Sequence, residues 1–297
     1  MTKTISVTFQ PDSLSLWIDQ PEEDIRTGEL VEWIFHGVPE NFAPMITFKP
    51  LEEEDENNLR YYGPFSFITQ EIPGADGGRV RVWGIVGRDK LTTYRYRAMI
   101  QTGFAEDPFE EAYGNSPDSV GKTLVVSRAG KVHVQSGTVE EELDDHHRYI
   151  AGLVATRNPG KVAADGVKVV PITQYEQDGE PVLRIHDNHL LVKRTDHDTV
   201  IWDFGTVPQH PGWFPSVDFV GGEGMAYEDI QNMHFGAFNS ITICTGKVIA
   251  TGHAKVPGQY HYRVAMASAS SSEIQYKSSP DPVVDYPEPT SGSGSGG

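Results

Sequence analysis

Apolar and polar residues alternate with period two along much of this chain. Ile5-Ser6-Val7-Thr8-Phe9, Leu14-Ser15-Leu16-Trp17-Ile18, Val80-Arg81-Val82-Trp83-Gly84-Ile85-Val86 and Tyr94-Arg95-Tyr96-Arg97-Ala98-Met99-Ile100 are short runs rich in aromatic and β-branched residues. Gly, Pro, Asp and Asn separate them, which is the pattern of strands joined by turns. Val182-Leu183-Arg184-Ile185, Leu190-Leu191-Val192-Lys193, Ser240-Ile241-Thr242-Ile243-Cys244 and a strand at Tyr260 continue it. Short strands at regular spacing predict antiparallel sandwiches.

Between residues 139 and 156, Val139, Leu143, Ile150, Leu153 and Val154 fall at roughly helical spacing. Thr138 with Glu141 reads as a capping box, and Asn158-Pro159-Gly160 as the stop. Upstream, Thr123-Leu124-Val125-Val126-Ser127 and Lys131-Val132-His133-Val134-Gln135 flank Arg128-Ala129-Gly130, which predicts a hairpin over 123–135.

The chain also resembles itself. Val31-Glu32-Trp33-Ile34-Phe35 matches Val200-Ile201-Trp202-Asp203-Phe204 at an offset of 169. Phe42 to Phe48 matches Trp213 to Phe219 at 171, and Gly63-Pro64-Phe65 matches Gly236-Ala237-Phe238 at 173. Tyr94-Arg95-Tyr96 answers Tyr260-His261-Tyr262 at 166, and Ser116-Pro117-Asp118 answers Ser279-Pro280-Asp281 at 163. Matches in conserved order with a drifting offset describe a duplicated domain with loop insertions, not a solenoid of short repeats. The expected division is 1–118 for the first sandwich, 119–165 for a hairpin-plus-helix connector, 166–286 for the second sandwich and 287–297 for a flexible Gly/Ser tail.

Composition narrows the function classes. The 297 residues carry 24 Lys and Arg against 42 Asp and Glu, a formal charge of −18. Such a chain is poorly suited to displacing counterions from nucleic acid or to anionic lipid surfaces. One cysteine, Cys244, rules out an intrachain disulfide and a thiolate zinc cage. The N-terminus begins to alternate at once and holds no apolar h-region, so no signal peptide is expected. No segment reaches the roughly 20 apolar residues of a membrane helix. A soluble, cytoplasmic protein is the expectation, with export by another route left open.

Taken with the repeat, two segments carry a family resemblance. Thr27-Gly28-Glu29-Leu30-Val31-Glu32-Trp33-Ile34-Phe35 and Thr195-Asp196-His197-Asp198-Thr199-Val200-Ile201-Trp202-Asp203-Phe204 each lead into a Val-Pro loop, and each half has a late Tyr-x-Tyr strand. In these features both halves resemble the cupredoxin-like fold of plastocyanin and azurin. The resemblance implies sandwiches, and in that family a copper site of two His, a Cys thiolate and a weak axial ligand. The places after the late aromatic strand hold Arg97-Ala98-Met99-Ile100-Gln101 and Arg263-Val264-Ala265-Met266-Ala267, without Cys or His. Cys244 falls one strand too early, and only His210 lies near a ligand position, with Asn41 near it in the first half. No blue-copper carrier is expected. Met99 and Met266 are read as core residues.

Other chemistry is weakly written. Gly114 to Thr123, ending Gly121-Lys122-Thr123, has six residues between its glycines where a phosphate-binding loop needs four, and a strand follows it. His186 and His189 point to opposite faces of a strand, and His146 and His147 diverge by about 100° on a helix. Neither pair, nor His197 beyond them, has metal-ligand spacing. The acidic runs Glu52-Glu53-Glu54-Asp55-Glu56 and Glu140-Glu141-Glu142 lack the spacing of a calcium loop and read as solvated surface. The first of these aligns with 220–227 in the second half, so the halves differ most there. No Gly-x-Ser-x-Gly elbow or Cys–His pair is present.

The sequence therefore describes a mostly β protein: two cupredoxin-like antiparallel β-sandwich domains with a short hairpin-plus-helix connector. Its expected function is that of a non-catalytic interaction or structural/assembly module. The partner would be another protein or itself, met through loops and edge strands. No residue is assigned to catalysis, a cofactor or a metal. The alternative is a metal-binding protein or metalloenzyme using His and acidic residues, His210, His186 and His189 first among them.

Overall fold

The structure is a computed structural model. It describes residues 2–39, 42–50, 62–72, 79–87, 91–102, 125–157, 166–187, 189–191, 198–208, 213–220, 238–252, 258–268, 274–278 and 283–286. The first half holds β1 (Lys3–Gln10), β2 (Ser15–Ile18), β3 (Glu22–Thr27), β4 (Leu30–His36), β5 (Phe42–Pro50), β6 (Phe67–Glu71), β7 (Arg81–Ile85), β8 (Thr93–Thr102) and β9 (Val125–Thr138). Helix α1 (Asp145–Ala155) follows. The second half holds β10 (Val167–Gln177), β11 (Glu180–Ile185), β12 (His189–Leu191), β13 (Thr199–Asp203), β14 (Trp213–Val220), β15 (Ser240–Cys244), β16 (Lys247–Thr251), β17 (Gly258–Ser268), β18 (Ile274–Ser278) and β19 (Val283–Tyr286).

In the first half, the layer β6-β7-β4-β1-β2 faces the layer β3-β9-β8-β5, and alternate residues of both fill one core. The second half repeats the plan. β1 pairs parallel with β4 through Ile5↔Trp33, as β10 does with β13 through Val170↔Trp202. β5 meets β8 at Phe48↔Tyr96, as β14 meets β17 at Phe219↔Tyr262. β3 runs parallel to β9, and β12 to β19. The sandwiches are thus mostly antiparallel, with parallel pairs at the same places in each half.

The repeat extends to side-chain geometry. Trp33 lies 5.9, 5.6 and 5.5 Å from Phe48, Phe65 and Tyr96, all edge-on. Trp202 lies 6.0, 6.1 and 5.5 Å from Phe219, Phe238 and Tyr262, again edge-on. These rings form the centres of the two cores, as expected of residues that recur between the halves, and edge-to-face contact suits their quadrupoles. Burial pushes the hydroxyls of Tyr96 and Tyr262 up to about 12. Met266 is fully buried, whereas Met99 sits half-buried opposite Met45.

Three sequence expectations need correction. The hairpin over 123–135 does not form: from Val125 the chain is a single 14-residue strand, paired with β8 from Gln101↔Val125 to Thr93↔His133. Gly130 suggested a turn, but its role is to leave room for a ring. It stands opposite Tyr96, and a Cβ there would run into the Tyr96 phenol. Glycine within a strand often marks such a close approach. Gly130→Ala should lower stability by about 1–3 kcal/mol through overpacking, read as a shift in the urea midpoint at constant slope.

Consequently β9 belongs to the first sandwich, not to a separate connector, and its Val132 and Val134 enter the first core. The helix, finally, starts at Asp145, not near 139. The Val139 N–H donates to the Thr27 carbonyl at 2.8 Å, so pairing with β3 outlasts the expected cap. Asp144 is the N-cap instead, its carboxylate accepting from the His147 N–H at 2.8 Å. The tail 287–297, the acidic loop 52–56, residues 221–227 of its counterpart, the segment 114–123 and the Ser116 and Ser279 match lie outside the described residues.

The halves join through equivalent strands. β6 and β15 pair antiparallel as Phe67↔Cys244, Ile68↔Ile243, Thr69↔Thr242, Gln70↔Ile241 and Glu71↔Ser240. Thr69 and Thr242 are repeat equivalents at the 173-residue offset of Phe65 and Phe238. Their buried hydroxyls meet at 2.8 Å. A local two-fold axis therefore passes between them and makes one continuous sheet of the two halves. A single helix cannot obey that axis. α1 lies over the joint on one face, with Ile150 and Leu153 packed among Leu30, Phe67 and Trp83 of the first half and Ile201, Cys244 and Ile249 of the second.

Candidate functional site

Among the described residues, a cluster of titratable side chains lies where α1 meets the first half. Strand alternation builds it. Trp33, Ile68 and Val82 point into the core, so Glu32, Glu71, Arg81 and Trp83 point out towards the helix. Register places Arg81 opposite Glu71, and Trp83 opposite Glu32. From α1 come His146, His147 and the cap Asp144.

Glu71 is the hub. Its Oε2 accepts from Arg81 Nε at 2.5 Å, and its Oε1 pairs with the Trp83 indole N–H at 2.9 Å and His146 Nε2 at 2.7 Å. Arg81 Nη1 also reaches Glu32 Oε1 at 2.9 Å. His147 Nε2 lies 3.2 Å from that oxygen, and its Nδ1 lies 2.8 Å from Asp144 Oδ1. Both His147 nitrogens thus face carboxylates. The Trp83 and His147 rings meet edge-on at 4.4 Å.

Burial alone raises the Glu71 pKa, yet the His146 hydrogen bond, the Arg81 charge and the Trp83 indole outweigh it and hold the carboxyl at about 2. Glu32 is lowered chiefly by the His147 hydrogen bond, against burial and with help from Arg81. Burial raises Asp144, but the His147 backbone amide and the two histidine rings bring it below its ordinary value. Burial works against the charge of Arg81, and Glu71 and Glu32 more than restore it.

The far end of α1 is held by the second half. Lys247, buried at the start of β16, donates to the carbonyls of Leu153 at 3.3 Å and Val154 at 3.1 Å, and to that of Thr156. A cation on the last carbonyls also complements the helix dipole, as Glu71 and Asp144 do at the first turn. Lys247 is the repeat equivalent of Arg81, each opening the strand beside the joint. Lys247→Met keeps the stem but removes the donor. It should cost about 2 kcal/mol and speed amide hydrogen exchange in the last turn of α1, which exchange mass spectrometry would read.

The candidate ligands of the sequence reading are distributed differently. His146 and His147 diverge as expected and take separate carboxylates. His186 Nε2 lies 2.9 Å from Thr173 Oγ1, and its backbone N–H donates to the Pro171 carbonyl. His189 opens β12. His197 and His210 lie outside the described residues. Among the described residues no group of three or more His, Cys, Asp and Glu is placed to hold a metal. Cys244 is buried under α1, with its thiol pushed up to about 12 by burial. The roles of Glu71, Glu32, Arg81 and Trp83 were missed because they depend on register. The repeat did hold one signal, the alignment of Arg81 with Lys247.

No protein-family model matches the chain, and no curated protein matches it. Among solved structures the chain is similar to a multicopper oxidase, with 12% identity, 95% of this chain and 87% of that chain covered and a TM-score of 0.21. It is similar to the laccase from Botrytis aclada at 9% identity, covering 91% of this chain and 55% of that one, with a TM-score of 0.21. A multi-copper oxidase from Pediococcus acidilactici gives 9% identity, 96% and 57% coverage and a TM-score of 0.19. The chain spans little more than half the length of these last two. Similarity at this level assigns neither activity nor copper to this chain. Among the described residues no helix is long and apolar enough to cross a membrane.

Proposed function

We propose that this protein is a non-catalytic interaction or assembly module, a duplicated cupredoxin-like domain whose two halves act as one rigid body. The observation that carries the reading is the use made of its charged groups. Glu71, Glu32, Arg81, His147 and Lys247 are spent on pinning α1 across the joint. Nothing in that cluster resembles a nucleophile with a base, and the Glu71 and Glu32 carboxylates are paired with Arg81. The partner is another protein, met through loops on the sandwich frame, where binding specificity usually resides. A lone buried thiol fits a reducing compartment such as the cytoplasm.

The test is a pull-down from native lysate with mass photometry and metal analysis of the same untagged sample. A defined heteromeric partner with no stoichiometric metal is the expected result. A monomer carrying one equivalent of copper or zinc would overturn it in favour of a metalloprotein built on His210, His186 or His189.

A further inference from the structure

We propose that two copies of this chain exchange halves through the β6–β15 seam, the β6 of each chain pairing with the β15 of the other, to form a closed swapped dimer. Each half closes its own aromatic core, so the exchange requires neither sandwich to open. The seam itself is self-complementary. Every residue of β6 faces, in reversed order, the repeat equivalents of its own strand, and Thr69 meets its equivalent Thr242 on the axis. Contacts of that symmetry are remade identically in trans. Residues 139–166 join the halves and include α1, so the exchange also remakes the contacts of α1 with the second half in trans.

Three other sheet edges are less suited to pairing between copies. β5 and β14 are edge strands carrying Pro44 and Pro215 at equivalent positions. The edge strand β3 carries Glu22, Glu23 and Asp24. Proline and charge are the usual means of blunting an edge. A foreign strand would also have to reproduce the Thr–Thr contact and receive α1, which a second copy of this chain does without change. This exchange needs no assumption about what the module binds.

Two single-cysteine proteins test it, Thr69→Cys and Thr242→Cys, each with Cys244→Ala. Directly opposed residues of an antiparallel pair have Cα atoms about 4.5–5.5 Å apart, within disulfide reach. Mixed, unfolded in urea, refolded together and oxidised, they should give a disulfide-linked species of doubled mass on a non-reducing gel. Its yield should rise in proportion to protein concentration, and neither protein refolded alone should give it. The chain carrying Thr69→Cys and Thr242→Cys together controls for geometry by closing its disulfide internally at low concentration. If that control closes and the mixture stays unlinked at every concentration, the proposal fails. Should the variants not refold, light scattering of the unmodified chain decides. A refolded species at twice 32.8 kDa that survives dilution supports the exchange, and 32.8 kDa alone overturns it.

Discussion

Replacing Glu71 with Ala should lower the free energy of unfolding at neutral pH by about 3 kcal/mol, because it leaves Arg81 partly buried beside a single remaining carboxylate and the Trp83 indole without its acceptor. The pH dependence supplies an independent check. The folded-state pKa of Glu71, about 2, lies below the ordinary value of 4.5. A depressed carboxyl stabilises the fold above its unfolded pKa and loses that contribution as pH falls towards its folded pKa. The full difference corresponds to about 3 kcal/mol, so by pH 3 the gap between parent and variant should shrink to about 1 kcal/mol. Urea midpoints at pH 7 and pH 3 measure both. An unchanged gap at the two pH values would mean that Glu71 acts through packing and not through charge.

Trp33→Ala and Trp202→Ala should each cost about 4 kcal/mol, since both indoles are fully buried and each is the common neighbour of three rings. The equality of the two losses is the sharper expectation. The centroid distances around the two tryptophans agree within half an ångström, so each cavity is walled by two phenylalanines and a tyrosine in the same arrangement. Thermal and urea unfolding of both variants would test it. A loss at Trp202 far below that at Trp33 would show that the second core collapses around the missing ring while the first does not.

Local pattern carried far in this chain. Period-two alternation located most strands, and recurrence of Trp33 as Trp202 and Tyr96 as Tyr262 identified the two cores before any contact was known. Those signals are legible because strand periodicity and core composition are properties of neighbouring residues. Local pattern failed where a distant partner decided the outcome. Gly130 read as a turn until Tyr96 was laid over it, and Thr138 read as a helix cap until Val139 bonded to Thr27. Both errors come from elements whose preferences were overridden by pairing with strands roughly 35 and 110 positions earlier in the chain.

Duplication and alternation are written residue by residue, so a mostly β protein with a repeated plan and a helix between its halves is legible along the chain alone. Tertiary structure alone decided how the halves meet and what the charges are for. Register brings Glu71 against Arg81, sets Thr69 on Thr242 and places Lys247 beneath the end of α1. Register is a property of two strands at once, so no single stretch of the chain encodes it.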